Sequence, residues 1–91
     1  MKEANLTATV SFSGIVQGVS FRKNVQAVAV SRGITGWVRN EDNGSVTACF
    51  SGPEPAVKDA IEDCMHLPHA VVTDVKTTIG TYVDYGDFRI R

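Results

Sequence analysis

From Gly14 the chain reads Gly14-Ile15-Val16-Gln17-Gly18-Val19-Ser20-Phe21-Arg22. Two glycines bracket a short turn, and an arginine follows where an apolar helical pattern begins. Successive backbone N–H groups in such a turn converge on one concave space, and a helix N-terminus adds partial positive charge. Arginine adds a planar fork of donors matched to oxyanions. Ile15, Val16, Gln17, Gly18, Val19 and Ser20 therefore suit a phosphate cradle, with Arg22 as a charged clamp. The spacing is neither G-x-G-x-x-G nor a loop closed by Gly-Lys-Ser/Thr, which sets aside dinucleotide and nucleoside-triphosphate loops. On glycine spacing alone, a plain strand-to-helix turn with a solvated Arg22 is the simpler account. Ser20 suits a helix N-cap and receives no nucleophilic role.

A second segment, Gly36-Trp37-Val38-Arg39-Asn40-Glu41-Asp42-Asn43-Gly44, ends an apolar run in a turn. Asn40 stands where the run enters the turn, a place where asparagine commonly satisfies backbone groups. Trp37 reads as half-buried packing. His66 and His69 flank Pro68, which breaks any helix that would align them on a metal, so they read as surface or packing residues. The two cysteines, Cys49 and Cys64, form no C-x-x-C pair. Strand and helix periodicity put them on different faces, with Cys64 in the core and Cys49 an exposed free thiol.

The elements that must position these residues follow from periodicity. Leu6, Ala8, Val10 and Phe12 alternate with Thr7, Thr9, Ser11 and Ser13, the period of a half-buried strand. From Phe21 the period lengthens: Phe21, Val25, Val28 and Ala29 share one helical face, and Gly33 stops the helix after Arg32. Residues 35–40 and 45–51 flank Asn43-Gly44, which predicts a hairpin in which both turn residues accept positive φ. Gly52-Pro53-Glu54 opens a second helix whose stripe is Val57, Ala60, Ile61 and Cys64, with Glu54–Lys58 and Lys58–Glu62 pairs on its wet face. Leu67-Pro68 ends it. Val71, Thr73 and Val75 predict a fourth strand, and Phe88 and Ile90 a last one, while 79–87 reads either as a loop or as an early start to that strand. The order predicts an α+β class with the ferredoxin-like split βαββαβ arrangement: an antiparallel sheet of four strands, two helices on one face, and the other face open to solvent.

Ninety-one residues make one small domain, 1–91. No apolar run approaches the ~20 residues of a membrane span, and Met1-Lys2-Glu3-Ala4-Asn5 lacks the apolar core of a signal peptide. A cytoplasmic monomer without a membrane partner is the default expectation. Formal net charge is −1, and no basic block marks a general nucleic-acid partner.

In sequence, Gly14-x-Val16-Gln17-Gly18-Val19-x-Phe21-Arg22, then Gly36-Trp37-Val38-x-Asn40 and Asn43-Gly44-x-Val46, resembles the two signatures of the acylphosphatases. The resemblance runs through the whole chain, including the ending Tyr85-Gly86-Asp87-Phe88-Arg89-Ile90-Arg91. It implies hydrolysis of the carboxyl–phosphate bond of acyl phosphates, with Arg22 and Asn40 as catalytic residues and Ile15 to Ser20 as the phosphate-binding loop. It implies no metal and no organic cofactor, and a small acyl phosphate and inorganic phosphate as the molecules bound. The rivals are a non-catalytic anion-binding module on the same fold and an RNA-binding βαββαβ domain. The latter would need stacking aromatics where this chain has Ser45-Val46-Thr47-Ala48-Cys49-Phe50. A domain cut from a larger carbamoyl-transfer protein is a third, against which the chain's self-contained ending argues.

Overall fold

A computed structural model describes residues 4–91. The elements are β1 (Asn5–Ile15), α1 (Phe21–Ser31), β2 (Thr35–Asn40), β3 (Val46–Pro53), α2 (Glu54–Cys64), β4 (Val71–Gly80) and β5 (Phe88–Ile90). They form one sheet in the order β4-β1-β3-β2-β5. The four antiparallel strands and two helices expected from periodicity are present. The last strand expected at Phe88 and Ile90 also forms, and it makes the sheet five-stranded and mixed, because β5 pairs with β2 in parallel. The segment that could be read two ways divides: Ile79 and Gly80 finish β4, and residues 81–87 are a connection without regular structure.

Alternation along the central strands creates the core. Ala8, Val10 and Phe12 of β1 and Val46, Ala48 and Phe50 of β3 are wholly buried toward the helices. Phe21, Val25 and Ala29 of α1 and Val57, Ala60 and Cys64 of α2 cover them. Phe12 meets Phe21 edge-on at 5.5 Å between ring centroids, and Phe50 stacks on Phe88 at 5.8 Å. Val28 and Ile61 are only partly buried at the margin of this layer. The Glu54–Lys58 pair forms, whereas Glu62 turns to His66 instead of Lys58. Arg32, just beyond α1, holds Asp63 of α2 at 2.6 Å.

The opposite face is not left open to solvent throughout. Residues 81–87 must travel from β4 at one edge to β5 at the other, and they do so across that face. The backbone N–H of Val83 donates to the Thr7 hydroxyl, itself hydrogen-bonded to Ser51, and that of Tyr85 donates to the Thr35 hydroxyl. This strap corrects the expectation for Cys49: the thiol is 2% exposed and donates to the Tyr85 hydroxyl at 3.5 Å. The hairpin turn also differs in detail. Only Gly44 takes positive φ, at 91°, while the Asn43 side chain accepts from both the backbone N–H and the hydroxyl of Ser45.

Two glycines are demanded by close approach. Gly14 has φ 124° and lies inside β1 at a bulge against β4, where a Cβ would fall 2.1 Å from the Val71 carbonyl oxygen. Gly36 has φ 143°, and a Cβ there would fall 1.8 Å from the Cys49 carbonyl oxygen. Gly36→Ala is expected to cost more than about 3 kcal/mol by combining backbone strain with this overlap. Gly44→Ala, in open space, is expected to cost about 1–2 kcal/mol. Urea unfolding of the two variants measures the contrast.

Burial, with a smaller contribution from Asp63, pushes the Cys64 thiol up from 9.0 to about 12. The folded chain thus keeps a proton that the unfolded chain releases above pH 9. Stability is expected to fall as pH rises from about 9 toward 12, with Cys64→Ala flattening that slope. Urea midpoints taken across this window check it, and a native slope that survives in Cys64→Ala refutes it.

Candidate active site

Sheet register brings the two sequence segments together. Phe12 of β1 pairs with Val46 of β3, and Val46 pairs with Asn40 of β2. These three residues form one row, so Asn40 stands two strands, roughly 10 Å, from the strand that leads into the glycine loop. Asn40 also shares the face of Val38, the helix face, but lies past the buried part of β2 and is exposed. The same face of the neighbouring parallel strand carries Ile90, paired with Val38. The N-terminus of α1 comes down on this corner because Phe21 packs on Phe12.

The result is a cavity of about 250 Å³ lined by Val16, Gly18, Ser20, Phe21, Arg22, Lys23, Asn40 and Ile90. Five residues singled out from the sequence therefore meet there: Val16, Gly18, Ser20, Arg22 and Asn40. The other three loop residues are placed differently. Ile15 is the last residue of β1, pairs with Val71 and exposes its side chain. Val19 packs at the margin of the core. Gln17 turns away and donates its side-chain amide to the carbonyl oxygens of Glu41 at 2.8 Å and Ser45 at 2.9 Å. Those two carbonyls belong to the turn directly after Asn40, so Gln17 sutures the loop to the hairpin that carries Asn40.

Gly18 has φ 74°, and a Cβ placed there would meet nothing within 4 Å, so its demand is conformational alone. Ser20 also takes positive φ, at 61°, and makes no side-chain capping bond. Ser20 thus holds the expected N-cap position, but from a left-handed backbone its hydroxyl caps no first-turn N–H group. Its carbonyl oxygen still accepts from the Asn24 N–H at 3.1 Å. Arg22 donates through Nη1 to the Arg91 main-chain oxygen at 3.2 Å, which holds the guanidinium against the end of β5. Gln26, one turn on, donates to the Phe88 carbonyl at 2.9 Å and fixes α1 to the same strand.

Phe21, Lys23 and Ile90 were not singled out as site residues. Phe21 was legible as core, and the alternation of Phe88 and Ile90 as a strand. The parallel pairing that brings Ile90 beside the loop has no local signal in the sequence. Among the described residues, no group of three or more His, Cys, Asp or Glu side chains could hold a metal ion. Among the same residues no helix is long and apolar enough to cross a membrane.

A family model described as acylphosphatase matches residues 8–90. The chain belongs to the acylphosphatase family. It is 44% identical over 92 residues to an acylphosphatase of Haloquadratum walsbyi, an alignment covering 100% of this chain and 99% of that one. The solved acylphosphatase of Bacillus subtilis superposes with a TM-score of 0.90 at 35% identity, covering 94% of this chain and 98% of that one. The acylphosphatase of Coxiella burnetii gives 0.90 at 34% identity over 96% and 93%. Relatives that share this length and fold place the chain among hydrolytic enzymes, not among fold-mates with unrelated functions.

The Gln17 suture is part-buried and satisfies two carbonyl oxygens at once. Gln17→Ala is expected to lower stability by about 1–2 kcal/mol, at about 1 kcal/mol for each hydrogen bond lost, since both carbonyls keep a backbone donor. Chemical denaturation measures it, and an unaltered midpoint would show that the loop holds its place without the side chain.

Proposed function

We propose that this cavity hydrolyses acyl phosphates by direct attack of water on phosphorus. The observation that carries the reading is that Arg22, Asn40 and the turn residues Val16, Gly18 and Ser20 line one cavity in a member of the acylphosphatase family. Loop N–H groups and the Arg22 guanidinium hold the phosphoryl oxygens and the charge that develops on them. The Asn40 amide, neutral at any ordinary pH, orients the attacking water without taking its proton. A phosphoryl oxygen of the substrate accepts that proton as the new P–O bond forms in line with the breaking one. The electron pair of the broken bond leaves on a carboxylate, a good leaving group that needs no protonation. Positioning and charge stabilisation therefore suffice, and neither a covalent intermediate nor a cofactor is invoked.

Main-chain support from Arg91 fits a clamp that must be rigid before substrate arrives. The reading takes the chain as a cytoplasmic monomer whose ligands are a small acyl phosphate and inorganic phosphate, with no nucleic-acid or membrane partner. Arg22→Gln is expected to lower kcat/KM on benzoyl phosphate about a thousandfold and to abolish competitive inhibition by phosphate. Asn40→Ala is expected to lower kcat about a hundredfold or more with phosphate inhibition retained. Steady-state kinetics with and without phosphate separates the two roles. Full turnover in Asn40→Ala would sink the water-orienting assignment, and phosphate binding without hydrolysis in the native chain would favour an anion-binding module.

A further inference from the structure

Eight residues line the cavity, and the proposed chemistry uses five of them: Val16, Gly18 and Ser20 through the turn, with Arg22 and Asn40. Of the other three, Phe21 is 2% exposed and is committed to the core against Phe12. That leaves Lys23 and Ile90 as the cavity residues free to meet the acyl part of a substrate. Ile90 is 37% exposed, and its side chain is an apolar wall. Lys23 is exposed on the first turn of α1, directly after the proposed clamp. The other cations nearby are engaged. Arg22 is tied to the Arg91 main chain, Arg39 to Glu41 at 2.6 Å, and Arg89 to Asp87 at 3.0 Å. Lys23 forms no ion pair among the described residues.

Resting on the acylphosphatase reading, we infer that Lys23 selects acyl phosphates whose acyl group carries a second anionic group, a carboxylate or a phosphate, with Ile90 supporting the carbon skeleton between. In-line displacement sends the acyl group away from the attacking water, so this group leaves the cradle on the side not occupied by water. A neutral acyl group would rest on Ile90 and leave the ammonium to solvent. An anionic one would gain a partner on a flexible four-carbon stem that adapts to its length. The charge lies apart from phosphorus, so the gain is the same in ground and transition states and appears in KM, not kcat.

The test compares 3- and 4-carboxybenzoyl phosphate with 4-methylbenzoyl phosphate in the native chain, Lys23→Met and Lys23→Arg. Intrinsic reactivities cancel when the ratio of kcat/KM values is compared between variants. The ratio of carboxylated to methylated substrate is expected to be about two- to fivefold higher in the native chain than in Lys23→Met, the scale of an exposed ion pair. Lys23→Arg should keep the native ratio, and about 0.5 M salt should erase the native excess. A ratio unchanged in Lys23→Met for both isomers, or an equal loss on all three substrates, overturns the selective role and leaves the acylphosphatase reading standing. Failure of the native chain to hydrolyse any of the three overturns that reading and this inference with it.

Discussion

One-sided burial of the two central strands governs the rest of the molecule. Ala8, Val10, Phe12, Val46, Ala48 and Phe50 expose no surface, and each of the larger side chains contributes about 1.5–3 kcal/mol by leaving water. A one-residue slip of β1 against β3 would turn all of them to the wrong face. Register is therefore locked, and with it the row Phe12–Val46–Asn40. The site inherits its geometry from this row: the glycine loop leaves β1 at the same end of the sheet where β2 presents Asn40.

Register alone would leave a gap between loop and hairpin, and three polar side chains close it. Gln17 reaches the hairpin turn, Arg22 reaches the main chain of Arg91, and Gln26 reaches that of Phe88. All three donate to backbone oxygens near element ends, and the Glu41 and Ser45 carbonyls also accept from the N–H groups of Gly44 and Glu41, so Gln17 adds a second donor to each. These bonds hold the loop and the start of α1 in place before any ligand arrives. Electrostatic stabilisation of a phosphoryl group depends on such preorganisation, because donors that must reorient during reaction give back much of their benefit.

The far face of the sheet serves a different end. The strap at 81–87 reaches β5 across it, anchored on the hydroxyls of Thr7 and Thr35. Threonine and serine on that face read locally as solvent-facing residues of half-buried strands, yet Thr7 and Ser51 are buried beneath the strap. Placing β5 beside β2 puts Ile90 at the cavity and the Arg91 main-chain oxygen within reach of Arg22, so a connection on one face of the sheet completes a site at the end of the other.

The four antiparallel strands and both helices were legible from the sequence because each depends on local chemistry, whereas Arg22 and Asn40 stood out through the resemblance to the family's two signatures. Period-two and period-3.6 patterns report burial one element at a time, and the signature residues carry their donors wherever the chain runs. Only the tertiary structure decided what required knowledge of neighbours. Gly14 serves contact with β4 and not the anion loop, since its constraint comes from the Val71 carbonyl. Cys49 is buried by residues more than thirty positions away. Ser20 sits at the N-cap with a left-handed backbone and no side-chain capping bond. The parallel seat of β5, which delivers Ile90, is set by which sheet edge was vacant. A strand's own sequence reports which face it buries, but its partner is chosen by hydrogen-bonding groups that every residue shares.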